Sequence, residues 1–302
     1  MDREERRKFW LKTPEDYAKK KGGEKKIRNL VKTDKIKKEF DDNVVQFMDF
    51  DAIDLTPANI TKKITDISIN RAQMPEIELK TSIKTLEYIL ENEKDELKQL
   101  ELLIVLINLR NELKENVYME RDMWLNTILN LNSFLVIIDK NPEVLDNKIL
   151  NYLQGDEKKY SYTDLQLIFT SNVQSADFEW NTAVRLLEQS NYEYDCRLRD
   201  EINLLKLIVD SISYFKKEEN MKIVSSLSFK FLEHIYHHSQ DMITKIRERV
   251  PDFPVPENTQ EFIRELSSNV YKAPANEKYV IKTALYEAYN YAINDEYIKA
   301  KD

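Results

Sequence analysis

All three histidines of this chain fall in one stretch, LEHIYHHSQD, as His234, His237 and His238. On a helix, residues three and four apart share a face, so His234 stands one turn from both of the others. Imidazoles gathered in this way offer ligands to a metal, and a metal-dependent enzyme built on these three residues is the sharpest chemical reading. A catalytic metal also needs a ligand from another element and a general base. The H-x-x-H-H spacing lacks the internal glutamate that does chemistry in H-E-x-x-H. The spacing therefore favours imidazoles turned towards solvent or a partner, with Phe231, Ile235 and Tyr236 facing the core. A stoichiometric metal lost in His234→Ala would restore the enzyme reading.

Other catalytic constellations lack their materials. A nucleophile elbow, a phosphate-binding loop and a dinucleotide fingerprint all need glycines, and the chain has only Gly22, Gly23 and Gly155. The single cysteine, Cys196, cannot form an internal disulfide, which fits a reducing compartment. The expectation is a protein that is not an enzyme, with no metal, no cofactor and no small-molecule substrate. The longest apolar stretch, LELLIVLINL at 100–109, falls short of the roughly 20 residues a bilayer requires. The chain is expected to be soluble and cytoplasmic, with no membrane partner.

Charge is distributed unevenly. The 302 residues hold 46 Lys and Arg against 54 Asp and Glu, a net of -8. Residues 1–38 hold 15 basic and 7 acidic side chains, a net of +8, which leaves 31 and 47, a net of -16, for the rest. A basic arm on an acidic body points to an acidic partner met by the arm alone. Arg3, Arg6, Arg7, Lys8, Lys12, Lys19, Lys20, Lys21, Lys25, Lys26 and Arg28 supply charge, and Trp10 supplies a stacking surface, the combination used in binding RNA. The alternative is a solvated tail.

Few glycines and eight prolines leave little material for hairpins, so the elements that carry these residues should be helices. Residues 1–55 read as a basic, largely extended arm and tether, and residues 56–302 as one helical domain. Thr56 and Pro57 open the first helix, with Ile60, Ile64 and Ile67 as its buried stripe. Further helices are expected at about 76–92, 94–115, 120–139, 142–153, 161–190, 195–217, 219–249, 257–271 and 275–293, Ser161 among the caps. The segment at 97–113 is apolar nearly all round and should lie between layers of other helices. RERVPDFPVPENT, at 247–259, should kink the stack. Tyr286, Tyr289 and Tyr291 crowd one late helix; helix packing explains them, and a partner interface is the competing reading.

ITKKITDI at 60–67, LKTSIKTLEYIL at 79–90, KQLELLIVLINL at 98–109, VYMERDMW at 117–124 and LRDEINLL at 198–205 follow one another in an order that resembles the c subunit of eukaryotic translation initiation factor 3. VYMERDMWLNTILNLNSFLVIIDKNPEV at 117–144 is similar to its Tyr-Met-x-x-x-Met-Trp helix and following Asn-Pro. ITKKITDI at 60–67, LKTSIKTLEYIL at 79–90 and KQLELLIVLINL at 98–109 resemble its opening helices. LRDEINLLKLIVDSISYFKKEEN at 198–220 resembles its Lys-Asp-Glu helix, and residues 262–302 resemble a later helix pair ending in Ala-Lys-Asp. The arm's RRKFWLKTPEDYAKKK is similar to its Arg-x-Phe-Leu-Lys-Lys segments.

The resemblance implies an all-α fold, a right-handed helical solenoid or bundle of about ten antiparallel helices behind the arm. It implies a non-catalytic scaffold that binds the small ribosomal subunit, through ribosomal RNA and proteins, and other subunits of initiation factor 3, with initiation factors 1 and 5 as further partners. It also implies structural histidines, since the matching family helix is not a metal site. Typical members add an acidic front and a C-terminal PCI domain with a winged helix, so residues 1–302 are expected to be a shortened member or a piece of a longer one. The rival assignment is a helical scaffold of a proteasome-lid-like or signalosome-like PCI assembly, which predicts partner subunits and no RNA.

Overall fold

The computed structural model describes residues 56–113, 117–141, 162–274 and 276–301. Among them the chain forms eleven α-helices and no strand. The expected arm and tether, the expected helix at 142–153 and the Ser161 cap lie outside the described residues.

Helix α1 (Pro57–Asn70) buries Ile60, Ile64 and Ile67, one stripe at i, i+4 and i+7. A short 3-10 turn leads into α2 (Glu76–Asn92), followed by α3 (Glu96–Glu112). Asp95 caps α3 by accepting from the backbone N–H of Leu97. The all-round apolar character of α3 has a direct cause. Its Leu100, Leu103, Ile104 and Ile107 face the larger core, while Leu102, Val105, Leu106 and Leu109 face a smaller one shared with α1 and α2.

The stack continues through α4 (Arg121–Lys140), α5 (Tyr162–Leu186), α6 (Tyr192–Lys217), α7 (Met221–Ile235), α8 (Gln240–Arg249), α9 (Thr259–Lys272), α10 (Glu277–Ile293) and α11 (Tyr297–Lys301). Packing runs from α3 to α4, from α4 to α5 and α6, then α6 to α7, α7 to α9 and α9 to α10. The proline-rich link after α8 sends Phe253 and Val255 into the larger core.

Several boundaries differ from the sequence expectation, α5 stopping at Leu186 ahead of 190 among them, and two of the differences have a visible cause. Helix α6 begins at Tyr192, ahead of 195, because the Asn191 side chain accepts from the N–H of Glu193 and caps the helix earlier. The single helix expected over 219–249 breaks after Ile235. Ser239 caps α8 by accepting from Met242 N–H, and Asn290 of α10 donates to the carbonyls of both Tyr236 and His238. These bonds satisfy backbone groups that a continuous helix would have paired internally.

Candidate interaction face and the buried charge cluster

The helix break corrects the expected geometry of the histidines. His237 and His238 lie beyond the end of α7, so they are not stacked over His234 on one helix face. The expectation that the imidazoles turn outward fails for two of the three. His237 is exposed, but His238 is buried and His234 is only 4% exposed.

His234 faces α5 and α6. Its Nε2 lies 2.7 Å from Asp177 Oδ1 and its Nδ1 lies 2.6 Å from Glu201 Oε1, so each ring nitrogen addresses a carboxylate. Burial alone would lower its pKa. The hydrogen bonds and charges of Asp177 and Glu201 outweigh burial and raise it to about 9. The ring is therefore an imidazolium at neutral pH and donates from both nitrogens, leaving no lone pair for a metal. Among the described residues, no three His, Cys, Asp or Glu side chains are placed to hold a metal ion.

Around this cation the cluster extends. Lys230 Nζ lies 2.9 Å from Asp177 Oδ2 and 3.0 Å from Glu233 Oε2, while the Tyr286 hydroxyl donates to Glu233 from α10. The Trp180 ring packs against the His234 ring at 5.0 Å. Asp177 stays ionised, because His234 and Lys230 overcome the opposing effect of its burial. His238 behaves oppositely, with a pKa pushed down to about 4 by burial and by His237 and His234.

A second polar cluster gives the Tyr118–Trp124 motif its physical meaning. Arg197, fully buried on α6, donates to the Met119 carbonyl and lies 5.9 Å from the centres of both the Tyr118 and Trp124 rings. Met119 N–H donates to Glu179 of α5, and Arg121 forks onto both oxygens of Asp200 at 2.6 and 3.0 Å. Trp124 Nε1 donates to the Ala176 carbonyl and Trp180 Nε1 to the Arg197 carbonyl, both at 2.8 Å. One short segment thereby ties α4, α5 and α6 together. Sequence reading did not find this clasp, since its partners are scattered along the chain.

The three tyrosines of α10 separate. Tyr286 stacks on Tyr236 with ring centres 4.2 Å apart, and burial followed by the Glu233 charge pushes its pKa up to about 12. Tyr291 accepts from Arg264 Nε at 2.8 Å, and Lys299 lies over its ring. Tyr289 remains half exposed. It joins two residues that sequence reading missed, Ile281 at 65% and Leu285 at 63% exposure. Spaced four apart, the three form one ridge on the side of α10 opposite the buried Thr283 and Asn290. The signal was present in the sequence, as apolar residues on two opposite faces of one helix. The basic residues Arg3, Arg6, Arg7, Lys8, Lys12, Lys19, Lys20, Lys21, Lys25, Lys26 and Arg28, with Trp10, lie outside the described residues. No helix among the described residues is long and apolar enough to cross a membrane.

Residues 6–302 match the family described as eukaryotic translation initiation factor 3 subunit 8 N-terminus. Similar proteins carry the name of the c subunit of eukaryotic translation initiation factor 3. The one from Candida albicans is 25% identical over 298 residues, covering 89% of this chain and 33% of its own length. The one from Eremothecium gossypii is 25% identical over 303 residues, covering 86% and 37%. That of Drosophila mojavensis is 20% identical over 189 residues, covering 61% and 20%. The chain thus spans about a third of the length of the two fungal relatives.

Proposed function

Because this chain belongs to the family of the c subunit, also numbered 8, of eukaryotic translation initiation factor 3, we propose that it is a non-catalytic scaffold of that factor. In this reading it binds the small ribosomal subunit and other factor 3 subunits in the cytoplasm during assembly of the pre-initiation complex. The observation that carries the proposal is the family match over residues 6–302. The stack of helices supports it, because such stacks present long faces to partners.

Division of labour follows from charge. The body beyond residue 38 carries -16 and is repelled by phosphate, so contact with ribosomal RNA falls to the +8 arm, through Arg3 to Arg28 and Trp10. Protein partners meet the body, where Tyr289 is the outward-facing member of the tyrosine group. Initiation factors 1 and 5 stand as further proposed partners.

The test is co-sedimentation of residues 1–302 and 39–302 with purified small ribosomal subunits at two salt concentrations. Only the full chain should pellet, and salt should release it with a log-log slope of roughly -0.7 to -0.9 per phosphate contact. Equal pelleting of both forms would remove the arm from the account.

A further inference from the structure

Helix α1 is poorly secured by its own sequence. Six of its fourteen residues, Ile60, Thr61, Ile64, Thr65, Ile67 and Ile69, are β-branched, a class that loses side-chain freedom in a helix. Alone among the described α-helices, α1 combines no side-chain capping bond with no acid in its first turn and no base in its last. Pro57 at its first position is the start signal that remains. Tertiary contact must therefore hold this helix in place.

That contact is narrow and apolar. Ile60, Ile64 and Ile67 are buried in the smaller core, with α3 as the main packing partner and Leu79, Ile83 and Leu86 of α2 in the same cluster. Ser68 Oγ is buried without a hydrogen-bond partner among the described residues, which opposes docking. Arg71, just after the helix, pairs with Glu112 of α3 at 3.1 Å, and both side chains reach solvent, so the pair adds little. Helix α3, by contrast, packs on both α2 and α4 and contributes to both cores. It is held without α1.

We propose that α1 is a built-in plug over a helix-binding surface of α2 and α3, and that the partner for this surface is an amphipathic helix with large apolar residues at i, i+4 and i+7. Helices docked by such anchors onto apolar grooves are a recurring mode of recognition, and α1 fills this site within its own chain. Opening is local. It uncovers the smaller core and leaves the larger one closed, so the fraction of open chains sets the affinity the partner experiences. The site is independent of the ribosome reading.

Lys63→Pro, at an exposed position in the middle of α1, breaks that helix without touching the core. A fluorescent peptide of residues 56–73 should bind the full-length Lys63→Pro chain in the micromolar range, and the wild type at least about tenfold more weakly because the plug competes. In the wild type, hydrogen exchange read by mass spectrometry should show α1 opening at least about tenfold more often than α2 and α3. Ser68→Ala, which removes the unpartnered hydroxyl and favours helix, should slow that opening several-fold. Exchange of α1 only together with α2 and α3, a Lys63→Pro chain that no longer folds, or a peptide that binds both chains equally or neither would each overturn the plug.

Discussion

Replacing His234 by glutamine tests the buried charge cluster. The imidazolium holds Glu201 of α6 at 2.6 Å and Asp177 of α5 at 2.7 Å, so the substitution leaves two carboxylates short of a cation, Asp177 buried and Glu201 partly so. Breaking a buried pair in this way costs about 3–5 kcal/mol, even with Lys230 still beside Asp177. An independent route gives a similar figure. The pKa rises from 6.5 to about 9 on folding, which at about 1.4 kcal/mol per pH unit contributes about 3 kcal/mol. A raised folded-state pKa stabilises fully below the unfolded value of 6.5, and the contribution is lost as pH rises through about 9. Urea unfolding of both proteins at about pH 6 and about pH 10 reads this directly. The gap between wild type and His234→Gln should be several kcal/mol at the lower pH and about 3 kcal/mol smaller at the higher. A gap below about 1 kcal/mol, or one that does not change with pH, would refute the reasoning.

Other consequences follow from single contacts. Glu101 is buried on α3 with its Oε2 unpartnered among the described residues, and burial pushes its pKa up to about 8. Keeping that acid in place penalises folding above the unfolded value of 4.5, so Glu101→Met should stabilise the protein by about 1–3 kcal/mol near neutral pH, a gain that vanishes in acid urea titrations. Glu219, which closes α6 at φ 54°, occupies the left-handed region that favours glycine. Glu219→Gly should raise stability by about 0.5–1 kcal/mol in thermal melts. Trp124→Phe removes the donor to the Ala176 carbonyl from a fully buried ring and should cost about 2 kcal/mol in urea unfolding.

Local pattern made much of the fold legible, and distance hid the rest. The stripe of Ile60, Ile64 and Ile67 and the all-round apolar α3 needed only residues within one helix, and both stand as read. His234 was misplaced because its partners lie 57 and 33 residues away, so nothing near it in sequence announces a buried cation. The break after Ile235 likewise depends on Asn290, more than fifty positions later. Tyr286, Tyr289 and Tyr291 are equivalent as letters, and what distinguishes them is that Tyr286 stacks on Tyr236 and reaches Glu233, Tyr289 meets the Tyr236 ring edge-on, and Tyr291 accepts from Arg264. Family membership was legible because an ordered series of motifs survives where any single one would be ambiguous. In this chain the clasp around Arg197 gathers Tyr118, Met119 and Trp124 of one of those motifs.

Affinity isolation of the tagged full chain from the cells that make it, after ribonuclease treatment and with partners counted by quantitative mass spectrometry, tests the scaffold assignment most directly. The account predicts other subunits of initiation factor 3 in near-equal amounts with the chain. Recovery of the chain without them, or with the subunits of a different helical assembly, would contradict it.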